Sequence, residues 1–158
     1  WWRGRHVAIL GCGAIGSAVA MLLARAGAGK VVLYDRDIVK PGVLVRQLFD
    51  RYQIGLGKAA ATAKNMTFAN RNVEALSSHS DVVKIIASDE RRSELLKADV
   101  IINATASTTA ATALEKQFRS WPKDHPPIIS MALGHNADHA LLTMAVNAVP
   151  GIAIDLDR

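Results

Sequence analysis

Gly11-Cys12-Gly13-Ala14-Ile15-Gly16 stands between a short apolar run, His6-Val7-Ala8-Ile9-Leu10, and a stretch carrying Ile15, Val19, Leu22, Leu23 and Ala26 at helical spacing. A strand that turns through three glycines straight into a helix tolerates few architectures. The first glycine permits the tight turn, the second lets another group approach the backbone, and the third lets helix and strand pack closely. The helix start also leaves N–H groups without intrahelical partners, at the positive end of the helix dipole. Such a start is a ready site for phosphate. The same spacing also occurs as a plain tight turn with no ligand, so the rest of the chain has to decide.

Beyond the glycines, strand and helix patterns alternate, the mark of βαβ units and a parallel sheet. Gly27 and Gly29 end the first helix, and Lys30–Asp35 reads as the second strand. Residues 36–57 contain Pro41, Gly42, Gly55 and Gly57 and read as a long, partly helical excursion, a length that usually signals function. The pattern predicts a helix over 58–70, a strand over 73–77, a helix over 90–97, a buried strand over 99–104, a helix over 108–118 and a strand over 128–133. A last strand over 139–146 is expected to pair back antiparallel. Only 5% of residues are aromatic while half are hydrophobic, so the core must be built from Ala, Val, Leu and Ile, as suits a parallel sheet covered by helices. The expectation is a Rossmann-like, doubly wound α/β domain with a mostly parallel sheet and helices on both faces, filling residues 1–158.

The net charge is +5, but the cations are scattered and not interleaved with aromatics. Nucleic-acid binding is therefore not expected, and an anionic small molecule accounts for the excess. No apolar stretch approaches the roughly 18 residues of a membrane helix, and the opening residues do not form a signal peptide. One cysteine excludes an internal disulfide and a paired-cysteine zinc site, which points to a reduced, cytoplasmic setting. The chain begins without Met and ends at Asp155-Leu156-Asp157-Arg158 without an obvious closing helix, and so reads as a fragment of a longer chain.

Asp35 closes the second strand 19 residues after Gly16, where a carboxylate can accept hydrogen bonds from ribose hydroxyls; Asp37 stands two residues on. As bland alternatives these are solvated turn acids. Nine residues beyond Asp37 come Arg46-Gln47, and then Gly55-Leu56-Gly57-Lys58. A lysine at a helix N-terminus opposes the dipole, which argues for an anionic ligand there.

The ordered set GCGAIG, LYDRD, VRQLF and GLGKA resembles the ThiF/MoeB/HesA family, the adenylation domain of ubiquitin-activating-like enzymes, from about residue 5 to residue 146. The resemblance implies ATP as the nucleotide. Gly11, Gly13, Ala14 and Gly16 would lie over its phosphates, Asp35 on the ribose with Asp37 beside it, and Arg46, Gln47 and Lys58 towards the phosphates. Arg46 and Lys58 would also act catalytically, offsetting the negative charge that spreads when the α-phosphorus is attacked. It further implies a ubiquitin-like or sulfur-carrier protein as partner, its C-terminus activated as an acyl-adenylate, and a homodimer. The sequence departs from the family pattern twice. Val43 replaces an Asn before the Leu-x-Arg-Gln element, and Ala106 replaces the Asp that holds magnesium. These departures favour a second reading, a catalytically degenerate nucleotide-binding or scaffolding domain. A third, an NAD-dependent oxidoreductase domain, explains the glycines and Asp35 but not Arg46-Gln47 or Gly57-Lys58. No metal-binding residues are assigned. Cys12 reads as a packing residue, and His135, Asp138 and His139 as the polar residues of a turn.

Overall fold

The computed structural model describes residues 2–118, 120–122, 124–134 and 139–146. Its strands are β1 (His6–Leu10), β2 (Lys30–Tyr34), β3 (Glu74–Ser78), β4 (Val100–Asn103), β5 (Ile128–Leu133) and β6 (Ala140–Ala145). They form a single sheet in the order β3-β2-β1-β4-β5-β6. The first five run parallel and β6 pairs antiparallel with β5, as expected from the sequence. The helices are α1 (Ala14–Arg25), α2 (Lys58–Ala69), α3 (Val82–Ala87), α4 (Asp89–Leu95) and α5 (Thr108–Phe118).

Period-two alternation along the central strands builds two cores. Val7, Ile9, Val31, Leu33, Val100 and Ile102 join Ala20, Leu23 and Met66 of α1 and α2 on one face. Ala8, Leu10, Tyr34, Ile101 and Ile128 join Ile85, Ile86, Leu95 and Leu114 of α3, α4 and α5 on the other. This is the doubly wound α/β arrangement, with helices on both faces. Burying each such Leu or Ile is worth about 1.5–3 kcal/mol, and a strand apolar on both faces can sit only in the middle of such a sandwich. Among the described residues no helix is long and apolar enough to cross a membrane.

Helix α1 ends as its glycines predict. Gly27 takes φ +82°, its N–H donates to Ala24 O (3.1 Å), and Ala28 N donates to Leu23 O (3.0 Å). That pair of bonds is a Schellman cap. Helix α3 was not expected from the sequence pattern. Its run Val82-Val83-Lys84-Ile85-Ile86-Ala87 is rich in β-branched residues, and only Asp81, accepting from Val83 N (2.8 Å), announces a helix.

The excursion between β2 and α2 holds two 3-10 segments, Pro41–Val43 and Arg51–Gln53. It closes on itself through Val39 N to Leu56 O (2.8 Å) and Gly55 N to Val39 O (2.9 Å). Val39, Phe49 and Ala61 form a small core beneath it. Asp50 and Gln53 cap the second segment reciprocally.

Candidate functional site

In this strand order the chain leaves β1 and β4 in opposite directions, which opens a crevice beyond their carboxyl ends. Leu10 is paired with Asn103 at that edge. Beyond it Gly11 turns with φ +90°, and a Cβ there would stand 2.9 Å from both Ala104 O and Thr105 Cα. A Cβ on Gly16 would fall 1.9 Å from Gly11 O, so the third glycine lets the first turn of α1 lie on the loop itself. Around Gly13 a Cβ would meet nothing within 4 Å. The loop therefore needs glycine at 11 and 16 for its own packing, while space is open at 13. Gly13 is the N-cap of α1 and gives the helix no side-chain cap; Ala14 is its first residue. The first-turn N–H groups of α1 have no acceptor from a capping side chain.

Asp35 braces this loop. Its Oδ2 accepts from Cys12 N at 2.6 Å and its Oδ1 from Asp37 N at 2.7 Å. Asp37 in turn accepts Lys58 N on its carbonyl (2.8 Å), and its Oδ2 lies 3.2 Å from Lys58 Nζ. The lysine that opposes the α2 dipole is thus balanced within the chain. Its side chain is only 10% exposed, against 60% for Asp37, so the pair is anchored at the lysine end.

A cavity of about 420 Å³ opens beside these residues, lined by Gly11, Tyr34, Asp35, Arg36, Asp37, Asp81, Val82, Val83, Thr105, Ser107, Thr109 and Ala110. Of the residues singled out from the sequence, Gly11, Asp35 and Asp37 line it. Lys58 reaches it through Asp37. Arg46 is exposed in the turn after the first 3-10 segment, and its guanidinium has no side-chain partner among the described residues. Gln47 is not at this cavity. It lines a separate groove of about 600 Å³ with Met21, Leu22, Leu48 and Phe49, where its Oε1 is buried without a hydrogen-bond partner.

Sequence reasoning missed the far wall. Arg36 Nη1 pairs with Asp81 Oδ2 at 2.6 Å, joining the end of β2 to the start of α3. The Val83 N–H, and then Arg36, hold the Asp81 carboxyl below its ordinary value. On the β4–α5 loop, Asn103 is buried and its Oδ1 accepts from Thr105 Oγ1 (2.9 Å) and Thr105 N (3.3 Å). Thr105 Oγ1 accepts from Ser107 N, and Ser107 Oγ from Ala110 N, each at 3.3 Å. The polar residues just before helices α3 and α5 were the available signal. Between Thr105 and Ser107, Ala106 takes φ +50°.

Cys12 is fully buried, and burial, followed by the Asp35 charge, pushes its thiol up to about 12. A thiol so reluctant to ionise is packing material, as the sequence suggested. His135 and Asp138 lie outside the described residues.

A profile of the ThiF family matches residues 2–143. The uncharacterized protein y4oA of Sinorhizobium fredii is 32% identical over 161 aligned positions, covering 94% of this chain and 26% of that protein. Ubiquitin-like modifier-activating enzyme 5 of Drosophila melanogaster is 43% identical over 72 residues, 46% of this chain and 18% of the enzyme. Among solved structures, E. coli MccB with ATP superposes with a TM-score of 0.76 at 21% identity, over 93% of this chain and 42% of that one. E. coli tRNA N6-threonylcarbamoyladenosine dehydratase TcdA with AMP gives 0.71 at 24% identity, over 84% and 53%. At these identities the structural likenesses establish the fold. The chain spans about a quarter or less of these curated relatives and about half of the solved structures. With the glycine loop, the acidic end of β2 and the strand order all in place, and a family profile running through nearly the whole length, this chain belongs to the ThiF family.

Proposed function

We infer that the chain is an ATP-binding adenylation domain, residues 1–158 of a longer enzyme, which activates the C-terminal carboxylate of a ubiquitin-like or sulfur-carrier protein. One observation carries this reading. Gly11 of the loop that opens α1, the Asp35 carboxylate that braces that loop, and Asp37, the ion-pair partner of Lys58, line one cavity at the carboxyl edge of the sheet. Asp35 retains lone pairs for ribose hydroxyls after accepting its two N–H bonds, since a carboxylate has about four acceptor sites. The N–H groups over Gly13 and Ala14 suit phosphate oxygens, and Lys58 supplies a cation next to them. The solved relatives with bound AMP and ATP support the choice of nucleotide.

In the reaction this implies, a carboxylate oxygen of the carrier attacks the α-phosphorus and the bond to pyrophosphate breaks. The products are an acyl-adenylate and free pyrophosphate. Lys58 offsets the charge that builds on the phosphates, joined by Arg46 if the excursion brings it over the site. The chain works as a homodimer in the cytoplasm.

Calorimetric titration tests the nucleotide: ATP binds more tightly than NAD. Tighter binding of NAD removes the adenylation reading in favour of a dehydrogenase domain. A second reading, a nucleotide-binding domain without turnover, is favoured by Ala106 at the family's magnesium position. ATP–pyrophosphate exchange in the presence of a carrier protein separates the two.

A further inference from the structure

Lys58 is the cation on which the nucleotide reading leans, yet it does not line the cavity; Asp37 does. Asp37 Oδ2 lies 3.2 Å from Lys58 Nζ, so this carboxylate stands between the ammonium and the open space. The charged side chains lining the cavity are then Asp35, Asp37 and Asp81 against a single guanidinium, Arg36. Three carboxylates facing one cation make a poor field for a polyanion. Turning Asp37 outward removes one carboxylate and uncovers the ammonium, which leaves two groups of each sign.

The bonding shows which partner can move. The Lys58 side chain is only 10% exposed, and a buried ammonium needs an anion beside it. The Asp37 side chain is 60% exposed, and among the described residues its carboxylate meets no partner but Lys58. The Asp37 backbone is held independently, its N–H donating to Asp35 Oδ1 (2.7 Å) and its carbonyl accepting Lys58 N (2.8 Å). A rotation of the side chain alone therefore takes the carboxylate into water with the loop in place. Phosphate oxygens within hydrogen-bond distance of Lys58 Nζ would lie a few ångströms from a carboxylate already there, and like charges that close repel. One ammonium does not serve both at full strength.

We propose that Asp37 is a resident competitor at this site, holding Lys58 until a polyphosphate takes the ammonium from it. The proposal rests on the nucleotide reading above. The pair sets a threshold of charge that a ligand must exceed, and it closes again once pyrophosphate departs. Asp37 thus lowers affinity, the reverse of an acid that holds the ligand.

Calorimetric titration of the chain with ATP in magnesium chloride tests this. Asp37→Asn keeps the main-chain carbonyl that accepts Lys58 N, and is expected to bind ATP about fivefold or more tightly than wild type. In a Lys58→Gln background the same change brings no gain, whether that background binds ATP weakly or not at all. Asp37→Ser serves the same test where the asparagine chain does not fold. An Asp37→Asn affinity equal to wild type or weaker overturns the proposal and leaves ATP binding standing. A gain that persists in Lys58→Gln overturns it as well, because the carboxylate then acts through its charge alone. ATP binding by neither wild type nor Asp37→Asn refutes the nucleotide reading and this proposal together.

Discussion

Replacing Asp35 by alanine tests the internal architecture of the site without any ligand. The carboxylate receives two main-chain N–H groups, at 2.6 Å from Cys12 and 2.7 Å from Asp37. Hydrogen bonds to a charged acceptor contribute about 1.5–3 kcal/mol each, and an orphaned buried donor costs its full desolvation. The two bonds are not equivalent. Cys12 is buried, so its N–H loses its acceptor with little water to replace it, whereas Asp37 is exposed and its N–H is rehydrated. Counting the first fully and the second hardly at all gives a loss of about 2–3 kcal/mol. Asp35→Asn is expected to lose about half as much, because the amide oxygen can still accept one bond while its NH2 group meets the other donor. Urea unfolding followed by circular dichroism at neutral pH measures both. An Asp35→Ala chain within about 0.5 kcal/mol of wild type shows that the glycine loop is not held this way. Where the variant remains folded, its ATP affinity falls by about 1–3 kcal/mol, since the ribose loses its acceptor and the loop its brace.

Two side chains with shifted titration offer further tests. Asp81→Ala removes the cap of α3 and the Arg36 pair, at a cost of about 1 kcal/mol at neutral pH. Since folding depresses the Asp81 value, its contribution is complete above the ordinary carboxylate range and fades as pH falls through the lowered value. The unfolding curves of wild type and variant should therefore converge below about pH 4 and separate above it. A gap that persists in acid assigns the effect to packing instead. Cys12, with its thiol pushed up to about 12, is expected to stay unreactive to Ellman's reagent in the folded chain and to react once urea unfolds it. Rapid labelling of native protein contradicts the burial described.

Much of the fold was legible because its signals are local. Periodicity placed β1, β2, β4 and β5, whose residues are apolar on both faces, and glycines marked the turns between them. The site was legible where a residue's role depends on chain order, as for the turn at Gly11 and the close packing at Gly16, whereas the bracing of the loop by Asp35 was not read from the sequence. It was not legible where the role depends on a partner far along the chain. Nothing in Arg36 announces Asp81, 45 residues away, and nothing in Lys58 announces Asp37. Lys58 therefore needs no bound anion to offset the α2 dipole, because Asp37 already supplies one. Helix α3 escaped notice because Val82, Val83, Ile85 and Ile86 favour strands intrinsically, and burial against the sheet outweighs that preference. Gln47 sits next to Arg46 in sequence, yet the turn that exposes Arg46 directs Gln47 into a different groove.

The run of bonds from Cys12 through Asp35 and Asp37 to Lys58 bears on how quickly and how tightly the site can engage an incoming molecule. The ordering of the glycine loop, the acid and the lysine is completed during folding, so the entropy of arranging them is not charged again at binding. A nucleotide bound as proposed would therefore meet a preorganised cradle. The free energy of its contacts goes into affinity, with only the Lys58 ammonium left to exchange one anionic neighbour for another.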